Sequence, residues 1–163
     1  MDQKDIIIQP IGSIQSPFHD LADMPIQPSA AEGIKGSIIL DPALEDGLLD
    51  LEGFSHLVLI YQFHKSKGFN LQTKPFLDNQ KHGVFATRAP NRPNAIGFSV
   101  VKLLAVKGNI LEIENVDILD GTPLLDIKPY VPDFDHPVST QVGWLENQRE
   151  KIKGKRSDDR FIK

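Results

Sequence analysis

The sequence predicts a mainly β, single-domain protein, built as a small barrel or sandwich with a few short helices. The chain has 163 residues, 40% of them hydrophobic, which is enough for one domain with one core. Short stretches rich in β-branched and aromatic residues recur along it, with turn-forming residues between them. No alternation of strands with long helices supports a doubly wound parallel sheet.

Six stretches combine a high density of strand-forming residues with turn-forming residues at their ends. The stretches at 95–106 and 110–119 flank "KGN" (107–109), where glycine and asparagine predict a hairpin. In order, the stretches are "DIIIQPIGSI" (5–14), "IKGSIIL" (34–40), "SHLVLIYQF" (55–63), "GVFAT" (83–87), "AIGFSVVKLLAV" (95–106) and "ILEIENVDIL" (110–119).

A short helix is predicted at "DPALEDGLLDLEG", residues 41–53. Asp41 can cap its first turn, and Pro42 suits the first helical position, where no backbone donor is needed. Three leucines at helical spacing should turn one face of this helix inward: Leu44, Leu48 and Leu51.

A second helix is predicted within "STQVGWLENQREKIKGK", residues 139–155. Val142, Leu145 and Ile152 would face inward. Basic residues lie towards its end, where they interact favourably with the helix dipole.

The formal net charge of −4 hides an uneven distribution. Between Glu52 and Glu112, eight basic residues stand against the single acid Asp78, a local charge of +7. From Arg149 to Lys163, seven basic residues stand against three acids. Such asymmetry indicates a polyanionic partner, although on charge alone a solvated cationic surface explains it as well. The eight basic residues are Lys65, Lys67, Lys74, Lys81, Arg88, Arg92, Lys102 and Lys107.

Several classes of site are excluded or disfavoured. The chain has no cysteine, which excludes a disulfide framework and a Cys-ligated zinc site. Walker, dinucleotide-fingerprint, nucleophile-elbow and H-E-x-x-H motifs are absent. His56 and His64 would lie about 26 Å apart on an extended strand, too far to share an ion. We therefore expect no metal site, and the lack of a leader or membrane-span pattern predicts a cytoplasmic protein.

Three loops are dense in residues with special backbone properties: "MPIQPS" (24–29), "TRAPNRPNAIG" (87–97) and "DILDGTP" (117–123). In the second, two prolines fix φ and two guanidinium groups carry permanent charge. In the third, Gly121 permits a tight turn or a close backbone approach. Each loop alone is compatible with an ordinary turn, but three together indicate a ligand site.

The chain resembles the TsaA-like, or TrmO, family of tRNA adenine N6-methyltransferases from about Ile6 to Leu145. The motifs that carry the resemblance are "GVFATRAPNRPNAIGFSVVKL", "DILDGTPLLDIKPYVP", "LEGFSHLVLIYQFHKS" and "VGWLE". The resemblance implies a mostly antiparallel β-barrel that binds S-adenosylmethionine and acts as a homodimer. It implies methylation of the exocyclic N6 of threonylcarbamoyl-adenosine beside the anticodon of tRNA. Residues 1–148 would form this domain and residues 149–163 a basic tail.

The resemblance also assigns site residues. Arg88 can hold a carboxylate or a phosphate through two hydrogen bonds, and Phe98 offers an apolar wall. RNA contacts are expected at Lys81, Asn91 and Arg92. The cofactor-binding residues implied are Pro25, Ile26, Gln27, His64, Lys65, Arg88, Phe98, Asp120, Gly121, Thr122 and Pro123.

Asp117 and Asp120 are candidates for the base that removes the proton from the reacting nitrogen. Asp120 could instead accept hydrogen bonds from the cofactor, and Asp117 could support the cofactor loop or cap a turn. Solvent could also take the proton, because the carbamoyl substituent acidifies the nitrogen.

Some of these residues could instead have purely structural roles. His64 could simply end a strand. Asp126 and Lys128 alternate with Leu125 and Ile127, as on the polar face of a strand. For the whole chain, the alternatives are a methyltransferase acting on another RNA or a small molecule, and a non-enzymatic S-adenosylmethionine sensor.

Overall fold

The computed structural model describes residues 5–22, 24–25 and 31–146. The strands found there are β1 (Gly12–Gln15), β2 (Lys35–Leu40), β3 (His56–Gln62), β4 (Gln72–Thr73), β5 (His82–Gly83), β6 (Ile96–Lys107), β7 (Ile110–Glu114) and β8 (Thr122–Pro129). Within the described residues, six of these strands close into a barrel in the order β1, β2, β7, β6, β3 and β8. All neighbouring pairs in it are antiparallel. The predicted mainly β fold is confirmed as an antiparallel barrel.

The barrel interior holds the hydrophobic core. Most of β6 alternates between buried and more exposed positions, which is the two-residue repeat of a strand with one inward face. Across the strands, Leu57 faces Val101 and Leu103 faces Ile113, and all four are buried in the core. Because a one-residue slip would turn these side chains outward, the packing fixes the register.

The predicted hairpin at residues 107–109 is confirmed. β6 and β7 pair with Lys107 opposite Ile110, and Gly108 takes a positive φ of 58° in the turn. The Asn109 side chain donates to the carbonyl of Leu40 at 2.7 Å, which ties the turn to β2.

The predicted helix at 41–53 forms as two 3₁₀ helices, Pro42–Leu48 and Leu51–Gly53. Asp41 caps the first as expected, because its carboxylate accepts from the Ala43 amide at 3.0 Å. Asp50 adopts a left-handed φ of 66° and separates the two. As a result, Leu48 and Leu51 pack on the core, whereas Leu44 is 44% exposed, contrary to the prediction.

Two predicted strands are shorter than their sequence patterns suggest. In 5–14 the strand begins only at Gly12, since Pro10 has no amide to donate to the ladder, and Ile6 is 87% exposed. In 110–119 the strand ends at Glu114, because Asn115 takes a positive φ of 68° and turns the chain out of the sheet.

The prediction of a strand at 83–87 is wrong. After Gly83 the chain forms a 3₁₀ helix, Val84–Ala86. Both the amide and the hydroxyl of Thr87 bond to the carbonyl of Val84, at 3.1 and 2.9 Å, and these bonds turn the chain back on itself.

β8 lies outside the six predicted stretches, because Pro123 and Pro129 near its ends weaken the strand signal. Asp126 and Lys128 do lie on it and form an ion pair at 2.7 Å.

At the C-terminal side, the described residues 143–146 form a 3₁₀ turn, and Val142 and Leu145 are half-buried. Trp144 packs against the segment before the cleft: its indole donates to the carbonyl of Ala86 at 2.8 Å, and its ring stacks on His82 at 4.4 Å. Ile152 and the predicted basic tail of residues 149–163 lie outside the described residues.

Candidate ligand-binding cleft

A cleft of about 670 Å³ opens where β3 ends and β6 begins. Small-molecule sites span roughly 300–1,000 Å³. Its wall includes parts of all three loops singled out in the sequence: Met24 and Pro25, residues 87–88 and 90–94, and Asp117 with Leu119. The fold therefore brings together three segments that are far apart in the chain.

Residues 87–94, named the proline loop here, are braced by a guanidinium group. Arg92 Nη1 donates to the carbonyl oxygens of Thr87 at 3.1 Å and of Ala89 at 3.3 Å. Charged donors make the stronger hydrogen bonds of proteins. Arg92 was predicted to contact RNA, but its Nη1 donates hydrogen bonds within the loop.

The opposite side of the proline loop is held by Ser66, which follows β3. Its hydroxyl lies 2.8 Å from Asn91 Oδ1 and 3.1 Å from the carbonyl of Pro90. Asn91 is buried, so this predicted RNA contact is part of the loop's internal structure. With two prolines as well, the loop forms a stiff wall.

Arg88 projects from this loop and stacks on Phe98 of β6. Its guanidinium carbon lies 5.4 Å from the centre of the Phe98 ring, and both residues line the cleft. A cation over an aromatic face is favourable, and the planar group is thereby oriented. Its N–H edges suit a carboxylate or a phosphate.

The floor of the cleft is made by Tyr61 of β3 and Gly97 of β6, which pair across the strands. A Cβ atom at position 97 would overlap the Tyr61 ring, so only glycine fits there. The ring is buried, and its close approach to the β6 backbone turns its hydroxyl toward Ser99.

A chain of hydrogen bonds leads from Tyr61 to Asp117. The Tyr61 hydroxyl is 3.0 Å from Ser99 Oγ, and Ser99 Oγ donates to Asp117 Oδ1 at 2.8 Å. A serine hydroxyl carries one hydrogen. Because Ser99 gives its hydrogen to the carboxylate, Tyr61 must donate to Ser99, and the chain points at Asp117.

Burial raises the pKa of the Asp117 carboxyl to about 6, although the Ser99 hydrogen bond and the Arg88 charge oppose the rise. Burial, with the Asp117 charge as a smaller cause, also raises the pKa of the Tyr61 hydroxyl well above its usual value. Tyr61 therefore stays protonated, whereas Asp117 can exchange a proton near neutral pH.

His64 and Thr122 meet on another wall of the cleft. Thr122 Oγ1 donates to the carbonyl of Leu119 at 2.6 Å, so its lone pairs face His64 Nδ1 at 3.4 Å. Burial, and secondarily the Lys65 charge, lowers the pKa of His64. The lowered pKa favours the neutral imidazole at pH 7.

Among the residues that the structure describes, four predicted site residues do not line the cleft: Lys81, Asp120, Gly121 and Pro123. Asp120 Oδ1 accepts from the Ser16 amide at 3.0 Å, and Oδ2 lies 3.3 Å from His19 Nδ1. The amide of Gly121 donates to the carbonyl of Ile14 in β1, and Pro123 lies opposite Ser13 of the same strand. Lys81 is exposed beside β5. Ile26 and Gln27 lie outside the described residues.

Sequence reasoning did not single out Tyr61, Ser99 or Gly97. A signal for Ser99 was present, because it occupies the same strand parity as the core residues Val101 and Leu103. A hydroxyl at a core-facing position needs a buried partner, which here is the Tyr61 and Asp117 pair.

In the part of the chain that the structure describes, no group of three or more His, Asp or Glu side chains is placed to bind a metal ion. No helix among those residues has the length and apolar character to cross a membrane.

An antiparallel barrel with three loops around one small-molecule cleft defines a β-barrel ligand-binding domain. Residues 13–136 match the family model described as the tRNA-methyltransferase O N-terminal domain. The chain belongs to this family.

Relatives and solved structures agree with that membership. A probable S-adenosyl-L-methionine-binding protein of Pyrococcus abyssi is 55% identical over 96% of this chain and 85% of its own length. The tRNA (adenine(37)-N6)-methyltransferase of Mus musculus is 38% identical over 98% of this chain. The crystal structure of TrmO from Pseudomonas aeruginosa has a TM-score of 0.74 at 38% identity over 86% of this chain. The chain spans 38% of the mouse relative and 63% of the Pseudomonas structure.

Proposed function

We propose that this protein is an S-adenosylmethionine-dependent methyltransferase that acts on N6 of threonylcarbamoyl-adenosine beside the anticodon of tRNA. One observation carries the proposal: in a chain of this family, three distant loops meet at a cleft with Arg88 stacked on Phe98 at one wall and Asp117 near its floor. The relatives named as tRNA (adenine(37)-N6)-methyltransferases support the N6-methylation of a tRNA adenine.

The cleft fits the proposed cofactor in size and chemistry. S-adenosylmethionine has a carboxylate, a cationic sulfonium and a flat adenine. Arg88 would take the carboxylate, and the aromatic side chains of Phe63, Phe85 and Phe98 offer surfaces for the adenine and the sulfonium. A neutral His64 can accept a hydrogen bond through the ring nitrogen that carries no hydrogen.

The modified adenosine brings a second carboxylate, on its threonyl group. Lys65 lines the same cleft as Arg88, and both side chains are exposed. Two cations would therefore meet two carboxylates, one from the cofactor and one from the substrate. An unmodified adenosine would leave one cation without its anion, which favours the modified substrate.

The tRNA backbone would be held by the basic residues around the cleft. Lys67, Lys74 and Lys81 are exposed in the segment between β3 and the proline loop. In contrast, Lys102 and Lys107 form ion pairs with Glu114 and Glu112 on the barrel surface. Lys67, Lys74 and Lys81 are therefore the lysines of this cationic segment that we expect to contact RNA. As a homodimer in the cytoplasm, the protein would present two such surfaces to RNA.

The test combines purified protein, labelled S-adenosylmethionine and one tRNA prepared with and without the threonylcarbamoyl group. We expect methyl transfer to the modified tRNA alone, with the added methyl located on N6 by mass analysis of the nucleosides. Equal transfer to the unmodified tRNA would refute the substrate assignment. Transfer to another RNA or a small molecule, or saturable cofactor binding with no transfer at all, would favour the corresponding alternative function.

A further inference from the structure

We propose that Asp117 is the general base of the reaction, which takes the proton from N6 as the methyl group is transferred. This inference rests on the proposed function. It assigns a catalytic role to a side chain whose contacts with Ser99 and Tyr61 could otherwise be read as purely structural.

The geometry leaves Asp117 able to accept a proton from the cleft. A carboxylate offers about four acceptor positions. Ser99 occupies one, and the residue's own backbone amide also donates to the carboxyl. Asp117 lines the cleft, and we infer that the remaining positions face a bound substrate.

The charged and titratable groups around Asp117 come from three elements. Arg88 reaches it from the proline loop, and Tyr61 from β3 through Ser99. His64 and Lys65 follow β3 on the same cleft, and Asp120 is turned away toward Ser16 and His19. The cation and the hydrogen bond favour the carboxylate, but burial disfavours it more. The pKa near 6 makes Asp117 a stronger base than an exposed aspartate while it remains largely ionised at neutral pH.

Two other groups are less suited to this role. Both carboxylate oxygens of Asp120 have partners on the β1 side of the barrel. For His64, burial lowers the pKa and so reduces the proton affinity of the ring. Its contact with Thr122 also holds the ring to one wall.

The proton balance is simple. When bound, S-adenosylmethionine supplies the methyl group: a bond forms from N6 to the methyl carbon, and the carbon–sulfur bond breaks with its electron pair kept by sulfur. The single hydrogen on N6 passes as a proton to the Asp117 carboxylate. Asp117 then returns the proton to water, since its pKa lies below physiological pH.

The first test needs no turnover and compares Asp117→Asn with the parent protein. The Asp117 pKa is raised from 3.8 to about 6 on folding, so the folded state binds more protons between these values. The associated stability is present below the unfolded pKa and lost as pH rises through the folded one. The parent's melting temperature should therefore fall relative to that of Asp117→Asn between pH 4 and pH 7. Parallel curves would overturn the assigned ionisation.

The second test separates the base from a cofactor ligand. Asp117→Asn keeps the acceptor for Ser99, so calorimetry should show unchanged S-adenosylmethionine binding. Single-turnover methyl transfer should fall roughly 10²- to 10⁴-fold. The parent's rate should rise with pH to a plateau above about 6, and this rising limb should vanish in the variant. Ser99→Ala removes a hydrogen bond to the charged form and should move the limb to higher pH.

The outcomes are distinguishable. If Asp117→Asn binds cofactor weakly but keeps the pH limb, Asp117 is a ligand and not the base. If the limb persists in Asp117→Asn and disappears in His64→Gln, the base is His64. If the parent transfers no methyl group to modified tRNA although its melting curve shows the Asp117 ionisation, the proposed function fails while the electrostatics of the site stand.

Discussion

At the scale of single residues, the cleft depends on pairs whose members constrain each other. Gly97 exists as glycine because the Tyr61 ring occupies the space of a side chain, and Arg88 is oriented by the Phe98 ring beneath it. A flexible side chain loses conformational freedom when it binds a ligand. Arg88 is already held by stacking, so less freedom remains to be lost.

Arg88→Lys should weaken S-adenosylmethionine binding by roughly 1–3 kcal/mol. Lysine keeps the charge but loses the planar fork and most of the stacking on Phe98. Isothermal titration calorimetry measures the change, and Phe98→Leu, which keeps the guanidinium but removes the ring, should give a smaller loss. Parent-like binding by Arg88→Lys would mean that Arg88 is not a cofactor ligand.

At the scale of elements, the proline loop illustrates how a connection becomes a rigid wall. Arg92 bonds two of its carbonyls, and Ser66 bonds Asn91 and Pro90 from the end of β3. The loop is thereby fixed to the strand that carries Tyr61. A ligand between them would meet two surfaces whose spacing is set before it binds.

Arg92→Gln should loosen this loop. Hydrogen bonds from a charged donor contribute roughly 1.5–3 kcal/mol, so we expect faster hydrogen exchange at the Thr87 and Ala89 amides and weaker cofactor binding. The salt dependence of tRNA binding should change little. The opposite result, unchanged exchange with a salt slope reduced by about one unit, would support the RNA contact predicted from sequence.

At the scale of the whole molecule, the fold sorts charges that are mixed in the chain. The β6–β7 hairpin brings Lys102 beside Glu114 and Lys107 beside Glu112, and both lysines form ion pairs there. The long connection between β3 and β6 carries the other six basic residues. Lys65, Arg88 and Arg92 line the cleft, whereas Lys67, Lys74 and Lys81 are exposed elsewhere on this connection. Local charge along a sequence therefore overstates the cationic surface available to RNA.

Replacing Lys67, Lys74 and Lys81 together with glutamine should reduce the slope of log K against log salt for tRNA binding by about two to three units, if each contacts a phosphate. The matched control is the pair Lys102→Gln and Lys107→Gln, which should leave the slope unchanged because the barrel carboxylates already pair with these lysines. Truncation after Leu145 tests the tail separately. Equal slopes for the triple and the double variants would mean that Lys67, Lys74 and Lys81 do not contact RNA. An unchanged slope after truncation would mean that the tail does not contact RNA.

The sequence by itself determined the local features. Alternating β-branched residues specify most of the strands, "KGN" specifies the β6–β7 hairpin, and Asp41 specifies a helical cap. These features depend on neighbours in the chain, which a pattern records. The three ligand loops were also readable from their proline, glycine and charged residues, and the family was readable from long motifs.

Only the tertiary structure decided which of these residues share a site. From the sequence, Asp120 was the expected cofactor ligand and Asp117 a supporting residue, yet Asp117 lines the cleft and Asp120 bonds to Ser16. The link from Tyr61 through Ser99 to Asp117 joins residues 38 and 18 positions apart. The Asp117 pKa depends on burial and on the Arg88 charge, which closure of the barrel and packing of the loops create. Burial and long-range contacts arise from the folded chain, so no local pattern could have distinguished the environments of the two aspartates.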